Sequence, residues 1–174
     1  KNYFLAAGRL TKLKDFNFLC KATKDILKNN KDLKILIAGV GEEKSKLMKY
    51  VNNNNLQKNI IFLNYVDNIF PYFFNARAFI LSSLWEDPGF VLIEAAISRT
   101  LVLSNDSEPG PKDLIKDNYN GIVYKKKNIK SFHEKFDQVL KNTNTKSLIY
   151  NNLKNVRKFT IFYHFKSFDN ILST

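Results

Sequence analysis

"YFLAAGRLTKLKDFNFLCKATKDILKN", Tyr3 to Asn29, contains the unit on which the fold turns. Tyr3 to Gly8 is a short apolar run ended by glycine, and Asp15 to Asn29 then place apolar residues at helical intervals, so the stretch reads as strand, loop and helix. The unit recurs. "KILIAG" (Lys34 to Gly39) precedes "EEKSKLMKYV" (Glu42 to Val51), and "NIIFLNYV" (Asn59 to Val66) precedes "NIFPYFFNA" (Asn68 to Ala76). "AFILSS" (Ala78 to Ser83) leads into "EDPGFVLIEAAI" (Glu86 to Ile97), and "LVLS" (Leu101 to Ser104) leads through "EPGPKDLI" to "GIVY" (Gly121 to Tyr124). Buried-type strands alternating with helices predict an α/β fold, a Rossmann-like parallel sheet with helices on both faces. In such sheets ligands bind beyond the carboxyl ends of the strands. The loops at those ends are Gly8 to Lys14, Gly39 to Gly41, Asn64 to Asp67, Ser82 to Gly89 and Asn105 to Pro111, and they hold most of the glycines.

With 174 residues, 44% hydrophobic and 14% aromatic, the chain has the size and composition of a single globular domain. No apolar run approaches the roughly 18 to 20 residues of a membrane helix, and Lys1 to Leu10 lack the order of a signal peptide. Cys20 is the lone cysteine and no Cys/His cluster has metal-ligand spacing, so a cytoplasmic protein without a metal is expected. A net charge of +12 suits an anionic partner: a small ligand, an anionic membrane surface or nucleic acid. No recognised nucleic-acid motif is present, and none is expected to bind. Asn52 to Asn55 read as a polar helix end.

Three motifs carry chemistry. In "GRLTKLKDF", Arg9 follows a strand and Lys14 stands at the mouth of the next helix, an arrangement suited to a diphosphate. The alternative is an Arg paired with a nearby Glu beside a solvated Lys. "IAGVGEE" contains G-x-G without the third glycine of a dinucleotide fingerprint and without a Walker lysine, and reads as a tight turn approaching a ligand. In "EDPGFVLIE", Asp87 is placed to cap a helix with Pro88 at its first position. Glu94 is then surrounded at helical spacing by Phe90, Val91, Ile97 and Ser98, on a helix that shows no polar side. A buried, unpaired carboxylate is costly, so either protein or ligand must answer it. Glu94 would suit two vicinal hydroxyls and Glu86 a third.

Taken in order, "GRLTKLKD", "ILIAGVGEE", "IIFLNYV", "FILSSLWEDPGFVLIEA" and "LVLSNDSEPGPKDLI" with "NYNGIVY" resemble the donor-binding half of the retaining glycosyltransferases of family 4. The E-x7-E pair, Glu86 and Glu94, is the most specific element. The resemblance implies one half of a GT-B architecture: residues 1–174 as the C-terminal nucleotide-sugar-binding domain, with an N-terminal acceptor domain as its missing partner. By it, Arg9 and Lys14 clamp the donor diphosphate and Glu94 accepts from the ribose hydroxyls. Glu86 faces the donor sugar as the catalytic carboxylate, and the amides of Gly89, Phe90 and Val91 lie near the phosphate or sugar. Asn64, Tyr65 and Val66 border the base. No cofactor or metal is implied, in keeping with the lack of D-x-D, and the donor expected is a UDP-sugar ahead of a GDP-sugar. Two departures stand out: Asp15 where glycine usually follows the lysine, and "EDPG" for the commoner E-G-F-G.

The form "WEDPGFVLIEA" further resembles transferases of bacterial surface polysaccharides. The activity implied is hexosyl transfer to a glycan or lipid-linked acceptor, with the isolated domain inactive alone. The rival reading is a non-catalytic Rossmann-like module for a nucleotide or phosphorylated ligand. The basic, aromatic "VRKFTIFYHFKSF" (Val156 to Phe168) is expected to leave apolar surface for the missing domain, or for peripheral contact with the inner face of the plasma membrane.

Overall fold

The computed structural model describes residues 2–87, 89–141, 145–159 and 163. Strand β1 (Tyr3–Ala7) leads through a 3-10 turn to α1 (Phe16–Asn29), followed by β2 (Lys34–Ala38), α2 (Lys44–Asn53), β3 (Ile60–Asn64) and α3 (Phe70–Asn75). The second half runs β4 (Phe79–Leu81), α4 (Phe90–Ile97), β5 (Val102–Asn105), a single turn α5 (Pro111–Leu114), β6 (Ile122–Tyr124), α6 (Ile129–Lys141) and α7 (Lys146–Val156). The strands form one six-stranded sheet in the order β3-β2-β1-β4-β5-β6, parallel throughout. Winding runs outward from β1 to β3, then returns to start again at β4 beside β1. The reversal point is therefore the crevice between β1 and β4.

Strand side chains alternate between two buried faces. Phe4, Ala6, Ile35, Ile37 and Tyr124 pack with α1, α2 and α6, whereas Leu5, Phe79, Leu81 and Val102 pack with Phe73 of α3 and Leu92 and Ala95 of α4. Both faces being covered is why these strands read as continuous apolar runs. Aromatic side chains fill the first face: Phe4 stacks on Phe136 at 4.3 Å, and Tyr124 meets Phe132 edge-on at 5.1 Å. The buried Tyr124 hydroxyl donates to the Leu81 carbonyl at 2.8 Å, and burial pushes its pKa well above the ordinary tyrosine value.

Helix starts depart from the sequence reading at α4. Its cap is Gly89 at φ 81°, not Asp87, and the first helical residue is Phe90; Pro88 lies outside the described residues. Nor does α4 lack an open side. Leu92, Ile93, Ala95 and Ala96 are buried, but Phe90 and Ile97 are 67% and 52% exposed, so Glu94 stands on the helix's open flank. Asp15 explains itself structurally: it adopts φ 44°, the left-handed region that favours glycine, and its carboxylate caps α1 by accepting from the Phe18 amide at 3.1 Å. Among the described residues no helix is long and apolar enough to cross a membrane. Of the apolar residues in the tail, Phe159 and Tyr163 are exposed, while Ile161, Phe162, Phe165 and Phe168 lie outside the described residues.

Candidate functional site

The G-x-G turn sets the shape of the crevice. Gly39, at φ 146°, comes so close to the first loop that a Cβ there would sit 1.9 Å from the Gly8 carbonyl oxygen; one on Gly41 would sit 2.4 Å from that of Leu10. Both glycines are thus required by loop-on-loop packing, and Gly39 also lines the cavity that opens here. A Cβ on Gly8 would come no closer than 3.7 Å to its nearest neighbour, the Lys14 side chain. The first loop is also stitched to the fourth, since the Ser82 hydroxyl donates to the Lys14 carbonyl and the Leu84 amide to the Leu13 carbonyl, each at 2.8 Å.

Between these loops and the first turn of α4 opens a cavity of about 700 Å³. Arg9 and Lys14 enter it from the β1 side, Glu86 and Asp87 from the β4 side, and Gly89, Phe90, Val91 and Glu94 from α4; Val40, Tyr65, Val66 and Ile69 form its apolar end. Asn64 is not among the lining residues. It ends β3 at φ 62°, its side-chain oxygen accepts from Lys44, and its carbonyl accepts from the Gly39 amide. Its polar groups serve the loop, and of the three residues expected beside a base, Tyr65 and Val66 line the cavity and Asn64 does not.

Inside the cavity the charges divide into a matched pair and three groups without a partner among the described residues: Arg9, Asp87 and Glu94. Lys14 Nζ lies 2.5 Å from Glu86 Oε1, which also accepts from the Ser83 hydroxyl at 2.7 Å. Arg9 is exposed and its side chain has no partner among the described residues. The sequence alternative of a paired Arg and a solvated Lys is therefore reversed: the lysine holds the carboxylate. Glu94 is half-buried, its carboxylate likewise has no partner among the described residues, and burial raises its pKa. A ligand filling this space would find a free guanidinium at one side and a free hydrogen-bond acceptor at another.

Sequence reasoning missed the polar layer beneath. Ser83, Asn105 and Ser107 are buried at the carboxyl ends of β4 and β5. Asn105 Nδ2 donates to the Ser83 carbonyl at 2.8 Å, and the Ser107 hydroxyl donates to Asn105 Oδ1 at 2.7 Å. Gly110 closes on the same place, where a Cβ would sit 2.4 Å from the Glu86 carbonyl oxygen. The available clue was "LSNDS", a polar run directly after a buried strand.

A parallel sheet that reverses its winding, with a charged cavity at the reversal, defines a Rossmann-like α/β domain with a ligand site at its switch point. Residues 1–156 match the family described as glycosyl transferases group 1, and the chain belongs to that family. It is 35% identical over 112 residues to a glycosyltransferase of Methanocaldococcus jannaschii, covering 64% of this chain and 28% of that protein. It is 28% identical over 135 residues to the poly(ribitol-phosphate) alpha-N-acetylglucosaminyltransferase of Staphylococcus aureus, covering 78% and 27%. To an alpha-1,4-N-acetyl-D-galactosaminyltransferase of Campylobacter jejuni, named for an undecaprenol-diphosphate-linked glycan, it is 30% identical over 155 residues, covering 88% and 43%. The chain thus spans well under half the length of these relatives.

Among solved structures, Staphylococcus aureus TarM in complex with UDP superposes with a TM-score of 0.88 at 23% identity, over 100% of this chain and 36% of that one. Anabaena HepE in complex with UDP and glucose superposes at 0.86 with 16% identity, over 100% and 48%. The fold is accordingly the Rossmann-like fold of GT-B glycosyltransferases.

Proposed function

We propose that this chain is the donor-binding, C-terminal half of a two-domain retaining glycosyltransferase of family 4, and that its cavity takes a nucleotide diphosphate sugar, a UDP-sugar before a GDP-sugar. The observation that carries the proposal is that Arg9 and the half-buried Glu94, neither with a partner among the described residues, face one cavity at the switch point. A diphosphate satisfies Arg9 and recruits Lys14; vicinal ribose hydroxyls satisfy Glu94; a flat base fits the apolar end at Tyr65, Val66 and Ile69. Gly89, Phe90 and Val91 open α4, and their amides belong to its unsatisfied first turn, which favours phosphate or sugar oxygens. Glu86 borders the sugar end. In the retaining reaction the bond from the anomeric carbon to the diphosphate oxygen breaks and one to the acceptor oxygen forms, with Arg9 and Lys14 stabilising the charge on the departing diphosphate.

In this reading the acceptor is a glycan or lipid-linked carrier of a bacterial surface polysaccharide, in line with the undecaprenol-diphosphate substrate in the name of the Campylobacter relative. The enzyme would work in the cytoplasm, peripheral to the inner face of the plasma membrane, where a chain of net charge +12 meets anionic lipid. Titration calorimetry of the chain with UDP and GDP tests the core of the proposal. The expected result is saturable UDP binding that weakens in Arg9→Ala; a chain that binds neither nucleotide would sink it.

A further inference from the structure

We infer that Ser83 and Asn105 are positioning residues, which form a buried polar strut that holds Glu86 against Lys14 so that the lysine ammonium is aimed into the cavity. The inference rests on the diphosphate site proposed above and extends it to residues outside the cavity lining. Four observations carry it.

The first is placement. Ser83 is 2% exposed and Asn105 1% exposed, so neither hydroxyl nor amide serves solvent, and neither side chain lines the cavity. The second is connectivity. From the Ser107 hydroxyl the bonds run to Asn105 Oδ1 (2.7 Å), from Asn105 Nδ2 to the Ser83 carbonyl (2.8 Å), from the Ser83 hydroxyl to Glu86 Oε1 (2.7 Å) and from Lys14 Nζ to that same oxygen (2.5 Å). Each bond fixes the next group, and the chain of bonds is anchored at Asn105, the last residue of β5, a strand buried along its whole length.

The third is the division of labour on Glu86. Oε1 takes both protein donors, while Oε2 has no partner among the described residues and is not sealed from solvent. A carboxylate bound by one oxygen keeps its position and leaves the other oxygen for a ligand. The fourth concerns Lys14, whose flexible four-carbon stem would otherwise let its charge wander. Its backbone is tied to Ser82 and its ammonium to Glu86, so both ends of the side chain are held by the β4 loop. Preorganisation of this kind improves binding by lowering the ordering needed when the ligand arrives.

Calorimetric titration of the whole chain with UDP and with UMP, in the parent, Ser83→Ala, Glu86→Gln and the double variant, tests the idea. Ser83→Ala should weaken UDP about 5- to 10-fold, leave UMP within about 2-fold, and lower the melting temperature of the free protein by only about 2–6 °C. In the Glu86→Gln background the same change should have little further effect, because the strut acts through Glu86. If Ser83→Ala does not fold, Ser83→Cys, of nearly the same size but a feeble donor, carries the comparison, and Ser83→Thr should retain most of the parent affinity. Unchanged UDP affinity in a folded Ser83 variant, a UMP loss as large as the UDP loss, or an undiminished effect in the Glu86→Gln background overturns the strut. A parent that binds no UDP overturns the diphosphate site itself, and shows this before any variant is made.

Discussion

Glu94 is where a single residue separates a ligand site from a structural one. Had it been tied to a protein donor, its replacement would leave that donor orphaned; with no partner among the described residues, it leaves nothing behind. If ribose hydroxyls donate to it, Glu94→Ala removes up to two charge-assisted hydrogen bonds of roughly 1.5–3 kcal/mol each, so UDP affinity should fall at least about tenfold. The melting temperature of the free protein should hold or rise, and differential scanning of parent and variant checks this. A pH effect follows from the same geometry. Burial raises the pKa of Glu94 above its ordinary 4.5, so its contribution to stability is fully present below that value and is lost as pH rises through the higher folded value. The free parent should therefore lose stability relative to Glu94→Gln as pH climbs from 4.5. Hydroxyls donating to the ionised form lower its pKa again, so UDP affinity should rise across the same window and then level off. The spacing Glu86 to Glu94 announced this carboxylate in the sequence. Its open flank did not show there, because Phe90 and Ile97 are apolar and yet largely exposed.

At the scale of elements, the strand-and-helix alternation was legible because both sheet faces are covered, which makes each strand an apolar run with a glycine or polar stop. What was not legible is why a glycine stands at the first two stops, Gly8 and Gly39. Gly39 and Gly8 have nearly the same backbone angle, φ 146° and 147°, but their surroundings differ. A methyl on Gly39 meets the Gly8 carbonyl oxygen at 1.9 Å, whereas one on Gly8 meets nothing closer than 3.7 Å. Gly8→Ala therefore carries backbone strain of about 1–3 kcal/mol. Gly39→Ala adds a clash that only movement of the first loop relieves, and should exceed about 4 kcal/mol. For a domain of this size that corresponds to a loss of roughly 8–16 °C in melting temperature. Thermal scans of the two variants should show Gly39→Ala clearly the worse; equal losses would mean that the loops do not pack as described. The start of α4 was misjudged for a related reason: Asp87 and Pro88 are ordinary helix-starting residues, but the turn there is made by Gly89 in a left-handed conformation, which spacing alone does not reveal.

At the scale of the molecule, the cavity lining includes Tyr65 and Phe90, 72% and 67% exposed, and Trp85, next to Glu86 in the chain, is 45% exposed. Large apolar side chains around one opening mark a surface that something else covers. The chain accounts for 27% to 43% of the length of the relatives described above. In the two-domain reading the cover is the acceptor half, and it brings the second substrate. In the same reading nucleotide binding draws on groups present here, Arg9, Lys14, Glu94 and the apolar end of the cavity. Transfer needs an acceptor hydroxyl held within about 3–3.5 Å of the anomeric carbon, with water excluded. In that reading the groups that place the hydroxyl belong to the acceptor half. The isolated chain should therefore bind UDP and show no sugar transfer from a UDP-sugar to a glycan or lipid-linked acceptor above the slow hydrolysis of the donor, as followed by chromatography of the labelled sugar. Joining it to the acceptor half of a family member should restore transfer and bury Trp85 and Phe90, with a blue shift in Trp85 fluorescence reporting the second event. Robust transfer by the chain alone would mean that its open cavity already orders both substrates, and the two-domain assignment would fall with that result.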